Sequence, residues 1–296
     1  MGSVVTQIDT SPADLTTTAA IEAAEAEAWA DLYAAAPSNF AGDAGIGFRE
    51  VAGALVISWA ATGRRYFSRT IGLGVAQPVT PAALEDVLDG YQRAGITMFL
   101  LQSLPQCRPA AYESWLRERG LKPFDQQDRI VRGGAPLTVA QHRRAAQSGY
   151  AAGAEREIAV ERVDASMGDE WADYIQRVYR LDTGSWLQNL IGRSGWHQYV
   201  AREGGEIVAA RGMFVCANRI AWLGMDGPVP GVMTDDYEPD AALCEAIVAD
   251  GLVRGVRMFI ADIEAPSPAM DTPAYDYFGW LGFTRPYART HWRTGE

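Results

Sequence analysis

GWHQYVAREGGEIVAARGMFVCANRIAWLG, residues 195–224, decides the fold. Its apolar residues fall in short runs separated by two turn signals, Gly204-Gly205 and Ala217-Asn218. Such runs predict strands at about 198–201, 206–215 and 219–225, joined as antiparallel neighbours. Upstream, Trp171, Tyr174, Ile175, Val178 and Tyr179 recur at helical spacing, and a shorter helix is expected at 186–191. Downstream, a helix through Ala242-Leu243 leads to Met258-Phe259-Ile260-Ala261-Asp262, an apolar run short enough to be a buried strand. The order is helix, helix, meander, helix, strand, helix, strand. An antiparallel meander followed by helix-connected strands is an α+β domain whose parallel portion sets a helix N-terminus beside a strand end.

The strand around Phe259 has a counterpart in the first half, Met98-Phe99-Leu100-Leu101-Gln102. Likewise Ala111-Tyr112-Glu113 with Gly120-Leu121 matches Ala274-Tyr275-Asp276 with Gly282-Phe283, and the copies stay 160 to 163 residues apart. That near-constant offset predicts duplication of one domain, in keeping with a chain of 296 residues. The expected division is a flexible N-terminus at 1–14, a first domain at 15–133, a linker at 134–156 and a second domain at 157–296. The polar composition of 133–154 suits either a connection or an isolated bridging helix. In the first domain an Ala-rich helix is expected over 12–36, then strands at 46–61 and 66–74. Thr80 as cap with Pro81 behind it opens a helix whose Leu84, Val87, Leu88 and Tyr91 share one face.

Hydrophobic residues make up 48% of the chain and charged residues 21%, with no apolar run long enough to span a bilayer. The start of the chain lacks the basic flank and apolar core of a secretory signal, so a cytoplasmic location is expected. Cys107, Cys216 and Cys244 form no CxxC pair, against both a disulfide framework and a structural zinc site. His142, His197 and His291 show no metal-ligand spacing, so no metal is expected. A net charge of -11 disfavours nucleic acid and favours a small partner that is neutral or cationic. Oligomeric state is not encoded in these patterns.

Element order and sequence together resemble the GCN5-related N-acetyltransferase (GNAT) superfamily, in the form where two such domains are fused. The residues that carry the resemblance are Gly195 to Ala201, Gly204 to Ala210, Ala221-Trp222-Leu223-Gly224, and Leu281-Gly282-Phe283 with Tyr287, Arg289 and Trp292. In the first half they are Arg69, Ile71, Gly72, Leu73, Gly74, Trp115-Leu116 and Gly120. The resemblance implies two tandem domains, each a mixed, mostly antiparallel sheet flanked by helices. It also implies acyl transfer to a small amine with acetyl-CoA or another acyl-CoA as cofactor.

One segment departs from that pattern. The superfamily carries an Arg/Gln-x-x-Gly-x-Gly/Ala loop after its fourth strand, where glycine N–H groups meet the coenzyme's pyrophosphate at a helix N-terminus. Here the aligned residues are Asp235, Asp236, Tyr237, Glu238, Pro239 and Asp240, within a stretch, 220–253, that has no Lys, Arg or His. A carboxylate within about 4 to 6 Å of a phosphate costs on the order of 1 to 4 kcal/mol, and Pro239 donates no N–H. The same acids would also suit an ordinary helix start, but that reading restores no phosphate cradle. A coenzyme-independent enzyme of lyase, cyclase or decarboxylase type, or a small-ligand-binding protein without catalysis, is therefore the alternative, with no cofactor at all.

For catalysis, Asp262 and Glu264 are two apart on one predicted strand and so share a face near its open end. Neighbouring carboxylates of this kind can hold an amine or act as a general base. Tyr275 and Tyr277 sit on the next helix, near where relatives place a tyrosine that protonates the leaving thiolate, with Phe278 at the closest register. Asp226, His197 and Trp222 are the expected substrate contacts.

Overall fold

The computed structural model describes residues 11–146, 157–227, 238–264 and 273–294. The chain forms two compact units. One holds Pro12–Asp128, Gly184–Trp186 and the C-terminal segment from Tyr287, and is called the N-terminal unit. The other, the C-terminal unit, holds Arg129–Thr183 and Leu187–Pro286.

The N-terminal unit opens with α1 (Leu15–Ala34), capped by Asp14, whose carboxylate accepts from the Thr17 N–H at 2.7 Å. Then come α2 (Ser38–Ala44), β1 (Ile46–Val51), β2 (Ala54–Trp59), β3 (Thr70–Ile71), α3 (Pro81–Arg93), β4 (Leu100–Ser103), α4 (Tyr112–Glu118) and the start of β5 (Lys122–Gly133). The single strand expected over 46–61 is a hairpin. Ala52 and Gly53 both take positive φ, 49° and 73°, and reverse the chain so that Val51 pairs with Ala54. Thr80 caps α3 as expected, accepting from the Ala83 N–H, and its buried face carries Leu84, Val87 and Tyr91. That face packs with Val56, Leu101, Leu116 and Trp292. Trp292 belongs to β11 (Thr284–Arg293), whose last residues pair antiparallel with β4.

Charges are buried under α1. Glu25 accepts from Arg69 at 2.9 Å and from Arg289, while Tyr287 donates to Glu22 at 2.7 Å. Such a cluster is tolerable only when paired. Beside it Asp125 accepts from Tyr66 and contacts His291 Nδ1 at 2.5 Å, and His291 Nε2 meets the Gln102 amide nitrogen at 2.9 Å.

The C-terminal unit contains α5 (Val139–Ala146), β6 (Ala159–Arg162), α6 (Gly168–Tyr179), β7 (Trp196–Glu203), β8 (Glu206–Val215), β9 (Ile220–Gly224), α7 (Glu238–Val253), β10 (Met258–Glu264) and α8 (Pro273–Trp280). Its strand order is β5-β10-β9-β8-β7-β6. β6 to β9 are antiparallel neighbours, and β10 runs parallel to β9 with Ile260 opposite Trp222. The helix α5, in the segment expected to link two domains, lies against α7 and α8. No helix among the described residues is long and apolar enough to cross a membrane.

Candidate functional site

The C-terminal unit's sheet has two faces, and side-chain parity separates them. Ala221 and Leu223 of β9, Phe259, Ala261 and Ile263 of β10, and Tyr199 and Ala201 of β7 pack in one core with Leu243, Ile247 and Val248 of α7 and Tyr277 of α8. Residues of the other parity face away. Trp222 sits there, edge-on to Trp196 at 6.2 Å, and Phe214 is 4.9 Å from Trp196. Asp262 and Glu264 share that parity, as expected for residues two apart. Asp262 is 3.4 Å from the fully buried Arg129, and Glu264 is exposed.

On the α7 face the charged centre is Arg211 of β8, a residue not anticipated from sequence. It is 4% exposed and reaches Asp240 at 2.8 Å and Asp226 at 3.0 Å. Burial alone would depress the guanidinium's pKa, but the Asp240 and Asp226 carboxylates outweigh it and hold the pKa well above its ordinary value. Asp226 also accepts a hydrogen bond at its carbonyl from the Tyr179 hydroxyl. Tyr277 is fully buried and its hydroxyl lies 3.5 Å from Cys244 Sγ. Burial first, then the Asp240 charge, keep that phenol protonated far above its ordinary range. Burial likewise pushes the Cys244 thiol up to about 12, so neither group supplies an anion near neutral pH.

The expected residues therefore divide. Asp226, Asp240 and Tyr277 gather around Arg211 on the α7 face, whereas Asp262, Glu264 and Trp222 lie on the opposite one. His197 shares parity with Tyr199 but stands at the start of β7, beside the C-terminal end of α7. Tyr275 is on α8, but its side chain falls outside the described residues, as do Asp235, Asp236 and Tyr237. Among the described residues, no group of three or more His, Cys, Asp or Glu could hold a metal ion.

The described start of α7 can be tested against a diphosphate. Pro239 offers no N–H, and Glu238 and Asp240 are acidic residues in the first turn. Asp240 already accepts from both Arg211 Nε and Nη2, so the buried cation there is neutralised by two carboxylates. At the described start of α7, then, the first-turn residues offer acids and a proline, and the buried cation is already engaged.

Comparison with solved structures identifies the architecture. A GCN5-related N-acetyltransferase from Kribbella flavida superposes with a TM-score of 0.60 at 12% identity, covering 94% of this chain and 95% of that one. The fold is that of the GCN5-related N-acetyltransferases. A second, from Sphaerobacter thermophilus, superposes with a TM-score of 0.52 at 13% identity, covering 82% of each chain. No protein-family model and no curated protein matches the sequence.

Proposed function

We propose that the chain is an acyltransferase of the GNAT fold acting on a small amine. The reading is carried by the fold, matched over 94% of the chain. Asp262 and Glu264 support the amine. They share one face of β10, the strand that runs parallel to β9, and Glu264 ends it in solvent. Carboxylates there would draw an ammonium group, and Glu264 could take the proton that the nitrogen must lose before it attacks an acyl group. The net charge of -11 favours a cationic substrate in the same direction.

A second reading is favoured by the bonds between Arg211 and Asp240 at the start of α7, which engage the buried cation nearest that helix end. It is coenzyme-independent chemistry of lyase, cyclase or decarboxylase type, or ligand binding without turnover. Calorimetric titration with acetyl-CoA separates the two. Acyl transfer requires binding tighter than about 100 µM, roughly 5.5 kcal/mol, and turnover of an amine that falls when Glu264 becomes Gln. Failure to bind acetyl-CoA would sink the acyltransferase and leave the second reading.

A further inference from the structure

At the far end of α7, arginines collect around a cleft. Arg162 at the end of β6, Arg193 before β7, Arg219 in the turn between β8 and β9, and Arg254 just past α7 line a space of about 370 Å³ together with His197. Since α7 has 16 residues, this cleft lies about 24 Å from the helix start discussed above.

Arg162 and Arg219 are exposed while Arg193, Arg254 and His197 are half-buried, and two features mark the cleft. Arg162 and Arg219 meet no carboxylate among the described residues: Arg162 Nη2 contacts His197 Nδ1 at 2.9 Å, and Arg219 Nη1 donates to the Arg254 carbonyl at 3.1 Å. Asp250 accepts from Arg254 at 2.8 Å and from the Tyr199 hydroxyl. Burial, then Arg254 and Arg162, lower the His197 pKa to about 4, so its ring is neutral and accepts from Arg162. The second feature is backbone strain. Arg219 has φ 63°, in a turn closed by its N–H to the Cys216 carbonyl at 3.0 Å, a position where glycine would be relaxed.

We propose that this cleft binds a small phosphate-bearing molecule, its phosphate seated between Arg162, Arg219 and Arg254. Guanidinium forks suit phosphate oxygens bidentately, and the volume is that of a small-ligand pocket. A long polyanion is disfavoured because the surrounding chain is strongly acidic. The site is independent of the acyltransferase reading.

The test is calorimetry of the full chain with pyrophosphate, repeated on Arg162→Gln and Arg219→Gly. Binding tighter than about 1 mM is expected, weakened at least roughly tenfold by either change. Arg219→Gly should melt no lower than the parent, because glycine relaxes the turn; an arginine with only a structural role predicts unchanged affinity. No binding at millimolar pyrophosphate, affinity unmoved by both variants, or binding of RNA oligomers alone would each overturn the proposal. Tighter binding of ADP than of pyrophosphate would support the site and assign it to a nucleotide, while equal binding would support recognition of the phosphates alone. Acetyl-CoA carries phosphates as well, so its titration is repeated on the doubly substituted chain. There acyl-donor binding of the proposed function persists, whereas binding at this cleft is lost.

Discussion

Single charged residues inside this chain carry most of what is specific to it, and Arg211 is the sharpest case. It interrupts the apolar run Ala209-Ala210-Arg211-Gly212-Met213 on a buried strand, and a charge there must find a partner. Sequence reading does not single Arg211 out, because its partners Asp226 and Asp240 come from just past a strand end and from a helix start that only the fold brings together. Arg211→Met is expected to lower stability by about 3 kcal/mol, since it strands two partly buried carboxylates. Asp240→Asn should cost less because Asp226 still faces the guanidinium. Urea unfolding reads both, and an Arg211→Met midpoint equal to the parent's would refute the pairing. His197 makes a pH prediction. Its ordinary value is 6.5 and its folded value about 4, with Arg162 of β6, Tyr199 of β7, and Asp250 and Arg254 beside it on or just past α7. Between those values the unfolded chain binds the proton and the folded one does not, so this contribution is complete above pH 6.5 and drains away as pH falls toward 4. His291 is also held below its ordinary value and acts with the same sign. The difference between parent and His197→Asn therefore isolates His197: thermal melts should show a flatter acid limb for the variant, and parallel limbs would contradict the neutral ring.

Elements were legible where one period dominated. The strands β8 and β10 follow from apolar runs bounded by turns, and α3 from its cap and apolar stripe. The hairpin of β1 and β2 reads as one strand because Ala52-Gly53 is a weak turn signal ahead of the apolar run Ala54–Trp59. The strand β5 was missed because Asp125, Asp128, Arg129 and Arg132 read as solvent-facing, whereas the last three are buried. Parity along β10 put Asp262 and Glu264 on one face correctly, but which face α7 covers is a tertiary fact, so their separation from Tyr277 could not be read. The helix α7 also hides a constraint in Gly251. Glycine inside a helix ordinarily costs about 1 kcal/mol relative to alanine, so replacing it should stabilise. Here an added Cβ would lie 2.6 Å from the Phe259 ring and 3.3 Å from Met213 Sδ. Overpacking of that kind costs about 1 to 3 kcal/mol, which outweighs the propensity gain. Gly251→Ala should thus melt below the parent, and a raised melting temperature would show that α7 can lift off the sheet freely.

For the molecule as a whole, the α+β class and the GNAT fold were legible from one meander and its flanking helices, because strand order in this fold follows chain order through most of the C-terminal unit. The extent of each unit was harder to read, since a boundary sought in polar composition finds loops, whereas these units divide inside strands. The division falls between Asp128 and Arg129 within β5 and between Pro286 and Tyr287 within β11. The N-terminal unit consequently takes residues from the end of the chain into its core. Trp292 is 1% exposed among the residues packed on α3, and Arg289 is the guanidinium that faces the buried Glu22 and Glu25. A fragment ending at 133 would keep both glutamates and lose Arg289 and Tyr287, leaving Arg69 to balance two buried carboxylates. Breaking a buried pair in this way costs about 3 to 5 kcal/mol, and losing a buried tryptophan costs about 3 to 5 kcal/mol more. Together these match the whole stability of an ordinary domain, about 5 to 15 kcal/mol. Residues 12–133 expressed alone are therefore expected to be unfolded by circular dichroism and amide NMR dispersion. A cooperative melt of that fragment would mean that the strand supplied by Tyr287 onward is dispensable, and that the buried charges beneath α1 can be satisfied without it.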